Sequence, residues 1–343
     1  MGETTRRIAV LGAGLIGTYV GGRLAAGGAD VVLIGRGRVL ADLRTHGLHL
    51  TDLEGGDRRI AADRLNLAED PAALGQADLI LLCVKSPATE DAALQIAQFA
   101  RPDAVVVSLQ NGVSNADRLR AALPGRTVLA GMVPYNVAQP GPGHYHQGTS
   151  GVILIEDSPA IAPYVPLFAA AALAVGLRAD MAAVLWGKLL INLNNAVNAL
   201  AGVPLAAQIA QRNYRRSVAL CQSEALSLLR RAGIKPAQFA AVPMWLLPHV
   251  FSLPDGLFRR VAARGGMPRI DRHARSSMAE DLASGRKTEV DYLNGELLVL
   301  AQRLGRRAPV NARVIELVRK AEAGAAPRSA DALYAELKKA RRG

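Results

Sequence analysis

Arg6-Arg7-Ile8-Ala9-Val10-Leu11-Gly12-Ala13-Gly14-Leu15-Ile16-Gly17 is the stretch that decides the fold. Residues 6–11 form a short apolar, partly β-branched run that halts at glycine, as a buried parallel strand does. Residues 15–26 then carry a helical pattern, and 30–34 (DVVLI) return to strand. Further along, 78–84 (DLILLCV) and 103–109 (DAVVVSL) are two more buried strands, each opening on an aspartate. Strands alternating with helices imply an α/β domain with a parallel, doubly wound sheet. Between 128 and 155 the pattern shortens to extended segments broken by Gln139-Pro140-Gly141-Pro142-Gly143, which reads as a hairpin at the sheet edge. After about Asp180 the strand signals fade. Helical patterns cover 181–200, 214–232, 274–284, 290–304 and 310–321. The expected organisation is an α/β domain over 1–179 and an all-α domain over 180–343, without an internal repeat.

Hydrophobic residues make up 50% of the 343 and charged residues 20%, which fits a globular chain and excludes long disorder. The formal net charge is +12, yet the arginines are scattered and aromatics are only 4%, so no stacking platform for bases exists. Attraction of small anions explains the charge equally well, and no nucleic-acid partner is expected. The run Lys338-Lys339-Ala340-Arg341-Arg342 reads as a solvated helix end. Cys83 and Cys221 stand far apart without ligand spacing, so neither a disulfide framework nor a metal site is expected. The N-terminus enters a strand almost at once, without signal-peptide architecture. No apolar run approaches the roughly 18 to 20 residues of a membrane span. A cytoplasmic location without membrane attachment follows as an expectation. Assembly as a homodimer is left open.

Gly12-Ala13-Gly14-Leu15-Ile16-Gly17 is a G-x-G-x-x-G set between a strand and a helix, the context that turns a weak hexapeptide into a dinucleotide-binding signal. Gly12 allows the tight turn, Gly14 the approach of a pyrophosphate, and Gly17 close helix–strand packing. Leu15 and Ile16 open the helix whose N-terminal N–H groups would meet the phosphates. The first domain is therefore read as a Rossmann-type domain. At the end of the second strand, where NAD sites usually carry an acid, stands Gly35-Arg36-Gly37-Arg38. A carboxylate would repel a 2′-phosphate and a guanidinium can grip it, so NADPH is the expected cofactor, with Arg36 as its discriminator. Lys85 ends another strand at the carboxyl edge, as a cationic contact to the cofactor or as an ordinary loop lysine.

Lysine is scarce here, 7 residues out of the 41 basic ones, yet Lys188 lies inside the apolar stretch Trp186-Gly187-Lys188-Leu189-Leu190-Ile191-Asn192. On a helix, Lys188, Asn192 and Asn195 share an arc of about 60°. Either they line a cleft or Lys188 snorkels from a half-buried helix. Desolvation would bring such an amine into the working range of an acid catalyst, which a carbonyl reduction needs beside its hydride donor. Ser277 with Glu280 fits a capping box, and Thr288 with Asp291 a looser one. The same serine at a helix start would also suit a carboxylate. Gln110-Asn111-Gly112 follows a strand and sets an amide at the sheet's carboxyl edge, or is a plain Asn-Gly turn.

The motifs occur in an order that resembles the ketopantoate reductase (2-dehydropantoate 2-reductase) family along nearly the whole chain. The resemblance rests on GAGLIG at 12–17 with Arg36, CVKS at 83–86, QNG at 110–112, WGKLLIN at 186–192 and SSMAEDLASGRKTEVDYLNG at 276–295. It implies NADPH-dependent reduction of 2-dehydropantoate to (R)-pantoate, the precursor of pantothenate and coenzyme A. Lys188 would be the proton donor, and Glu289 would hold the substrate hydroxyl and orient the lysine. Asn111 would position the reacting group beside the cofactor. Asn192 would contact the substrate, Ser277 would bind its carboxylate, and Asp281 would support that motif. The chain departs from the family pattern at Ala196, where a second asparagine is usual; Asn195 offers an amide from nearly the same face. A reductase of another branched 2-oxo acid and a non-catalytic NADPH-binding regulator stay open as alternatives.

Overall fold

The computed structural model describes residues 6–239, 242–263 and 274–342. The chain divides into two compact units, Met1–Met181 and Ala182–Gly343. The first begins with β1 (Arg7–Leu11), α1 (Leu15–Ala26), β2 (Asp30–Ile34) and α2 (Gly37–His46), followed by the short strands β3 (Leu48–Asp52), β4 (Asp57–Ile60) and β5 (Asn66–Ala68). It continues with β6 (Leu79–Leu82), α3 (Thr89–Phe99), β7 (Val105–Ser108), α4 (Asn115–Ala122), β8 (Val128–Met132), β9 (Val137–Gly141), β10 (His144–Gln147), β11 (Ile153–Glu156), α5 (Val165–Ala170) and β12 (Val175–Arg178).

Eight strands form one sheet in the order β12-β11-β8-β7-β6-β1-β2-β5. Every pair is parallel except β11 against β8. The chain runs outward from β1 through β2 and then returns to β6 on the other side. The crevice at the carboxyl ends of β1 and β6 is thus a topological switch point, where ligands of such sheets bind. The sheet is doubly wound. α1 covers one face over Ile8, Val10, Leu79 and Leu81, while α3 and α4 cover the other over Ala9, Leu11, Ile80 and Leu82. These strands are apolar on both faces, which is why they read as unbroken apolar runs.

The Gln139–Gly143 hairpin is not at the edge of this sheet. Strands β9 and β10 join β3 and β4 in a separate four-stranded sheet, with β10 parallel to β3. The physical reason lies in α1, which is buried on both sides. A Cβ at Gly21 would come within 2.5 Å of Leu33 on the large sheet, and one at Gly22 within 2.3 Å of Leu48 on the small one. The second sheet, through Leu48, Leu50 and Tyr145, covers what would otherwise be an exposed apolar helix face. Strand β12 is likewise an addition to the elements expected from the sequence.

Arg23 of α1 fastens these layers. Almost fully buried, it donates to the Tyr19 hydroxyl at 2.8 Å, Asp52 at 3.0 Å, and the Ala171 and Ala172 carbonyls, each at 3.1 Å. Arg23→Leu leaves two carbonyls without a donor and removes the counter-charge of a largely buried carboxylate, which keeps only the Glu54 and Gly56 backbone donors, so a loss of about 3–5 kcal/mol in stability is expected by chemical denaturation. A loss below about 1 kcal/mol, the value of an exposed pair, would contradict this fastening role.

The amino edge of the large sheet is tied by charge. Asp30 pairs with Arg7 at 2.8 Å, and Asp78 accepts from the Arg7 backbone at 2.9 Å and from Arg101 at 2.8 Å. The aspartates that open the strands therefore serve stability, and the carboxyl edge is left for function.

The second unit contains α6 (Met181–Ala201), α7 (Leu205–Ala210), α8 (Arg212–Arg231), α9 (Leu247–Ser252), α10 (Asp255–Val261), α11 (Ser277–Ala283), α12 (Val290–Arg303), α13 (Pro309–Glu322) and α14 (Ala330–Ala340). No strand falls among its described residues. Gln222 of α8 donates to the Leu190 carbonyl of α6 at 3.1 Å. Glu224 accepts from the Val310 and Asn311 backbones at 2.9 Å each and so caps α13. Among the described residues, no helix is long and apolar enough to cross a membrane, and no cluster of His, Cys, Asp or Glu could hold a metal.

Candidate functional site

The site residues fall on both units, and each part is built by local chemistry. In the first unit, Gly12 has φ +108°, a value that favours glycine. A Cβ there would meet the Val84 backbone nitrogen at 2.5 Å. A Cβ at Gly17 would meet the Gly12 carbonyl oxygen at 2.2 Å and the Cys83 Cβ at 3.0 Å. Both glycines are thus required by packing against the end of β6. Gly14 is different: it is exposed, and a Cβ there would meet nothing within 4 Å. Gly14 is also the N-cap of α1, with no side-chain cap and no acid in the first turn. Open space, helix N–H groups at Leu15 and Ile16, and the positive dipole end fit a dinucleotide's pyrophosphate.

The turn is tied to the end of β2. Gly12 and Ala13 both donate to the Ile34 carbonyl, at 2.9 and 3.0 Å. Arg36 follows two residues later as the exposed N-cap of α2. It therefore stands at the carboxyl edge beside the glycine turn. Lys85 is exposed and leaves β6 on the opposite side of β1. Behind it, burial pushes the Cys83 thiol up to about 12, so Cys83 is a packing residue at neutral pH.

Asn111 lies in the loop after β7, with Gly112 at φ +106°. Its carbonyl accepts from Ser86 Oγ at 3.0 Å and Asn115 Nδ2 at 2.6 Å. Gln110 donates to Thr89 Oγ1 at 2.8 Å and accepts from Ser108 Oγ at 3.0 Å. This polar network locks the loops after β6 and β7 together and so fixes Asn111 relative to Lys85. Ser86 falls within the CVKS stretch at 83–86, whereas Thr89, Ser108 and Asn115 lie outside every motif. Ser108 ends β7, Ser86 lies in the loop after β6, and Thr89 and Asn115 open α3 and α4, so their signal is an uncharged polar residue between a buried strand and the next helix, where a buried side chain must find a partner.

In the second unit, α6 carries Lys188, Asn192 and Asn195 on one face. Lys188 and Asn195 are half-buried and Asn192 is buried. Burial pushes the Lys188 amine down to about 8. Ala196 is fully buried, one turn beyond Asn192.

The segment after residue 274 is docked on α6. Ser276 donates from its backbone to Asn198 Oδ1 at 2.9 Å and from Oγ to the Asn195 carbonyl at 3.1 Å. Ser276, and not Ser277, is therefore the cap of α11, accepting from Ala279 N at 3.2 Å. Of two adjacent serines the one with tertiary partners on α6 takes the cap. Ser277 is exposed at the first residue of this seven-residue helix. Asp281 is buried and accepts from Arg286 at 3.0 Å. Thr288, one residue before the N-cap of α12, is not the cap of that helix: its Oγ1 donates to Glu322 at 2.7 Å and accepts from Val290 N at 3.4 Å. Glu289 is instead the half-buried N-cap of α12.

Residues 8–160 match the family model for ketopantoate reductase PanE/ApbA, and residues 180–322 match that for the ketopantoate reductase PanE/ApbA C terminal. The chain is 29% identical over 323 residues to the 2-dehydropantoate 2-reductase of Halobacterium salinarum, covering 92% of this chain and 99% of that one. It is similar to the crystal structure of a PanE/ApbA family ketopantoate reductase from Ralstonia eutropha JMP134, with a TM-score of 0.78, 32% identity, and coverage of 92% and 98%. D-mandelate dehydrogenase, in a ternary structure with NADH and anilino(oxo)acetate, shares the fold at 21% identity, with a TM-score of 0.76 and coverage of 92% and 98%. Sheet, glycine turn and helical second unit define a Rossmann-type oxidoreductase with a helical C-terminal domain. The chain belongs to the ketopantoate reductase family.

Proposed function

We propose that this chain reduces 2-dehydropantoate to (R)-pantoate with NADPH. Supporting this reading are the family, the name of its relatives, and above all one observation: a partly buried lysine on α6 whose amine is pushed down to about 8. The reduced nicotinamide, when bound, supplies the hydride that adds to the keto carbon. Lys188 Nζ holds the proton that the carbonyl oxygen takes as negative charge develops on it, so the ketone gains hydride and proton and becomes an alcohol. Glu289 holds the substrate's hydroxyl and orients the lysine. Asn111 and Asn192 position the reacting group, Asn195 adds an amide from the same helix face, Ser277 binds the carboxylate and Asp281 supports its segment. Gly12, Gly14, Leu15, Ile16 and Gly17 take the pyrophosphate, Arg36 the 2′-phosphate, and Lys85 adds a cationic contact.

The pH dependence tests the lysine's role. An acid catalyst must be protonated, so kcat/KM for reduction is expected to be flat below about pH 8 and to fall about tenfold per unit above it. Oxidation of the alcohol needs the neutral amine and rises through the same pH. An inflection that survives in Lys188→Ala belongs to another group and removes Lys188 from this role.

Ala196, standing where the family usually has an asparagine, favours a second reading: reduction of a different branched 2-oxo acid on the same scaffold. Comparing kcat/KM for 2-dehydropantoate and 2-oxoisovalerate separates the two, because the better substrate identifies the pocket.

A further inference from the structure

The edge of the cofactor region holds an acid, Glu69. Strand β5 runs parallel to β2 with Ala68 opposite Ile34, and Gly35 donates to the Ala68 carbonyl at 3.1 Å. Glu69 therefore leaves β5 beside Arg36 leaving β2. Its carboxylate lies against the start of α2: a Cβ at Gly37 would come within 2.9 Å of Glu69 Oε2. Arg44, further along α2, holds the other oxygen at 3.1 Å. The same loop abuts the glycine turn, since a Cβ at Gly35 would meet Ala13 Cβ at 2.6 Å. A negative charge thus sits at the start of α2, the helix whose N-cap is Arg36 and whose positive end would draw a 2′-phosphate.

We infer that Glu69, balanced by Arg44, sets how strongly this chain discriminates between phosphorylated and unphosphorylated nicotinamide nucleotides. The inference rests on the reading that Arg36 meets the 2′-phosphate. Glu69 opposes that phosphate electrostatically, and Arg44 offsets the opposition by pairing with it. Removing the acid strengthens NADPH binding and leaves NADH, which has no 2′-phosphate, unmoved. Removing Arg44 does the reverse.

The test is direct nucleotide binding by calorimetry on the full chain, with NADPH and NADH as separate probes. Both side chains of the pair are about half exposed, so the changes are modest. Glu69→Gln is expected to tighten NADPH about two- to fivefold at low salt, and Arg44→Gln to weaken it by a similar factor. Both effects shrink as salt shortens the screening length below about 10 Å. Equal changes for both nucleotides, or none, overturn the inference. Arg36→Ala in the same assay tests the reading beneath it. If Arg36→Ala costs NADPH alone while Glu69→Gln shifts nothing, only the role of Glu69 fails. If Arg36→Ala costs both nucleotides equally, the phosphate reading fails as well, and with it this inference.

Discussion

Lys188→Ala is expected to lower turnover at least about a hundredfold, the usual effect of losing a positioned proton donor, while nucleotide affinity stays unchanged. The size follows from the chemistry of the step. Hydride addition leaves an alkoxide, which a positioned acid protonates far more readily than water does. An amine near 8 is still about nine-tenths protonated at pH 7 and yet gives up its proton readily. Lys188→Arg is expected to fail equally, because guanidinium holds its proton to above about pH 12. Stability should move the other way. The folded-state pKa lies below the ordinary lysine value near 10.4, so folding disfavours the charged form. That cost is fully present below about pH 8 and disappears as pH rises through about 10.4. Lys188→Met should therefore be at least as stable as the parent at neutral pH, which keeps a loss of turnover from being mistaken for a loss of fold. A mutant with near-normal turnover would take the lysine out of the chemistry.

Arg36→Ala is expected to weaken NADPH binding about 10- to 100-fold and to leave NADH within about twofold, the range for losing one or two charge-assisted hydrogen bonds. Arg36 caps α2 from the loop that follows Ile34, the residue whose carbonyl holds Gly12 and Ala13. Its position is thus fixed by the same backbone that shapes the glycine turn. The side chain itself is exposed, so its removal should leave stability nearly unchanged. Equal weakening of both nucleotides would mean that Arg36 serves the helix start and not the phosphate.

The large sheet was legible because parallel strands covered on both faces are continuous apolar runs, as at Ile8–Leu11 and Leu79–Leu82. The glycine turn was legible because sterics at Gly12 and Gly17 admit no side chain. The small sheet was not. Asp57–Ile60 is polar and partly exposed, and β3 pairs with β10 across most of the first unit, His49 opposite His144. Such pairing leaves no local pattern. The capping of α11 by Ser276 was hidden for a similar reason, since adjacent serines look alike until Asn195 and Asn198 choose between them. Lys188 could be picked out because a charge inside an apolar helical stretch demands an explanation. Glu69 could not, because its meaning depends on β5 lying beside β2.

The most direct measurement supplies 2-dehydropantoate and NADPH carrying deuterium at the transferable position, and follows the product by mass spectrometry. The expected result is pantoate with one deuterium at its former keto carbon, formed in equal amount to the nucleotide oxidised. Tight NADPH binding with no oxidation in the presence of this or any other 2-oxo acid would contradict the assignment, and would make the chain a nucleotide-binding protein without this chemistry.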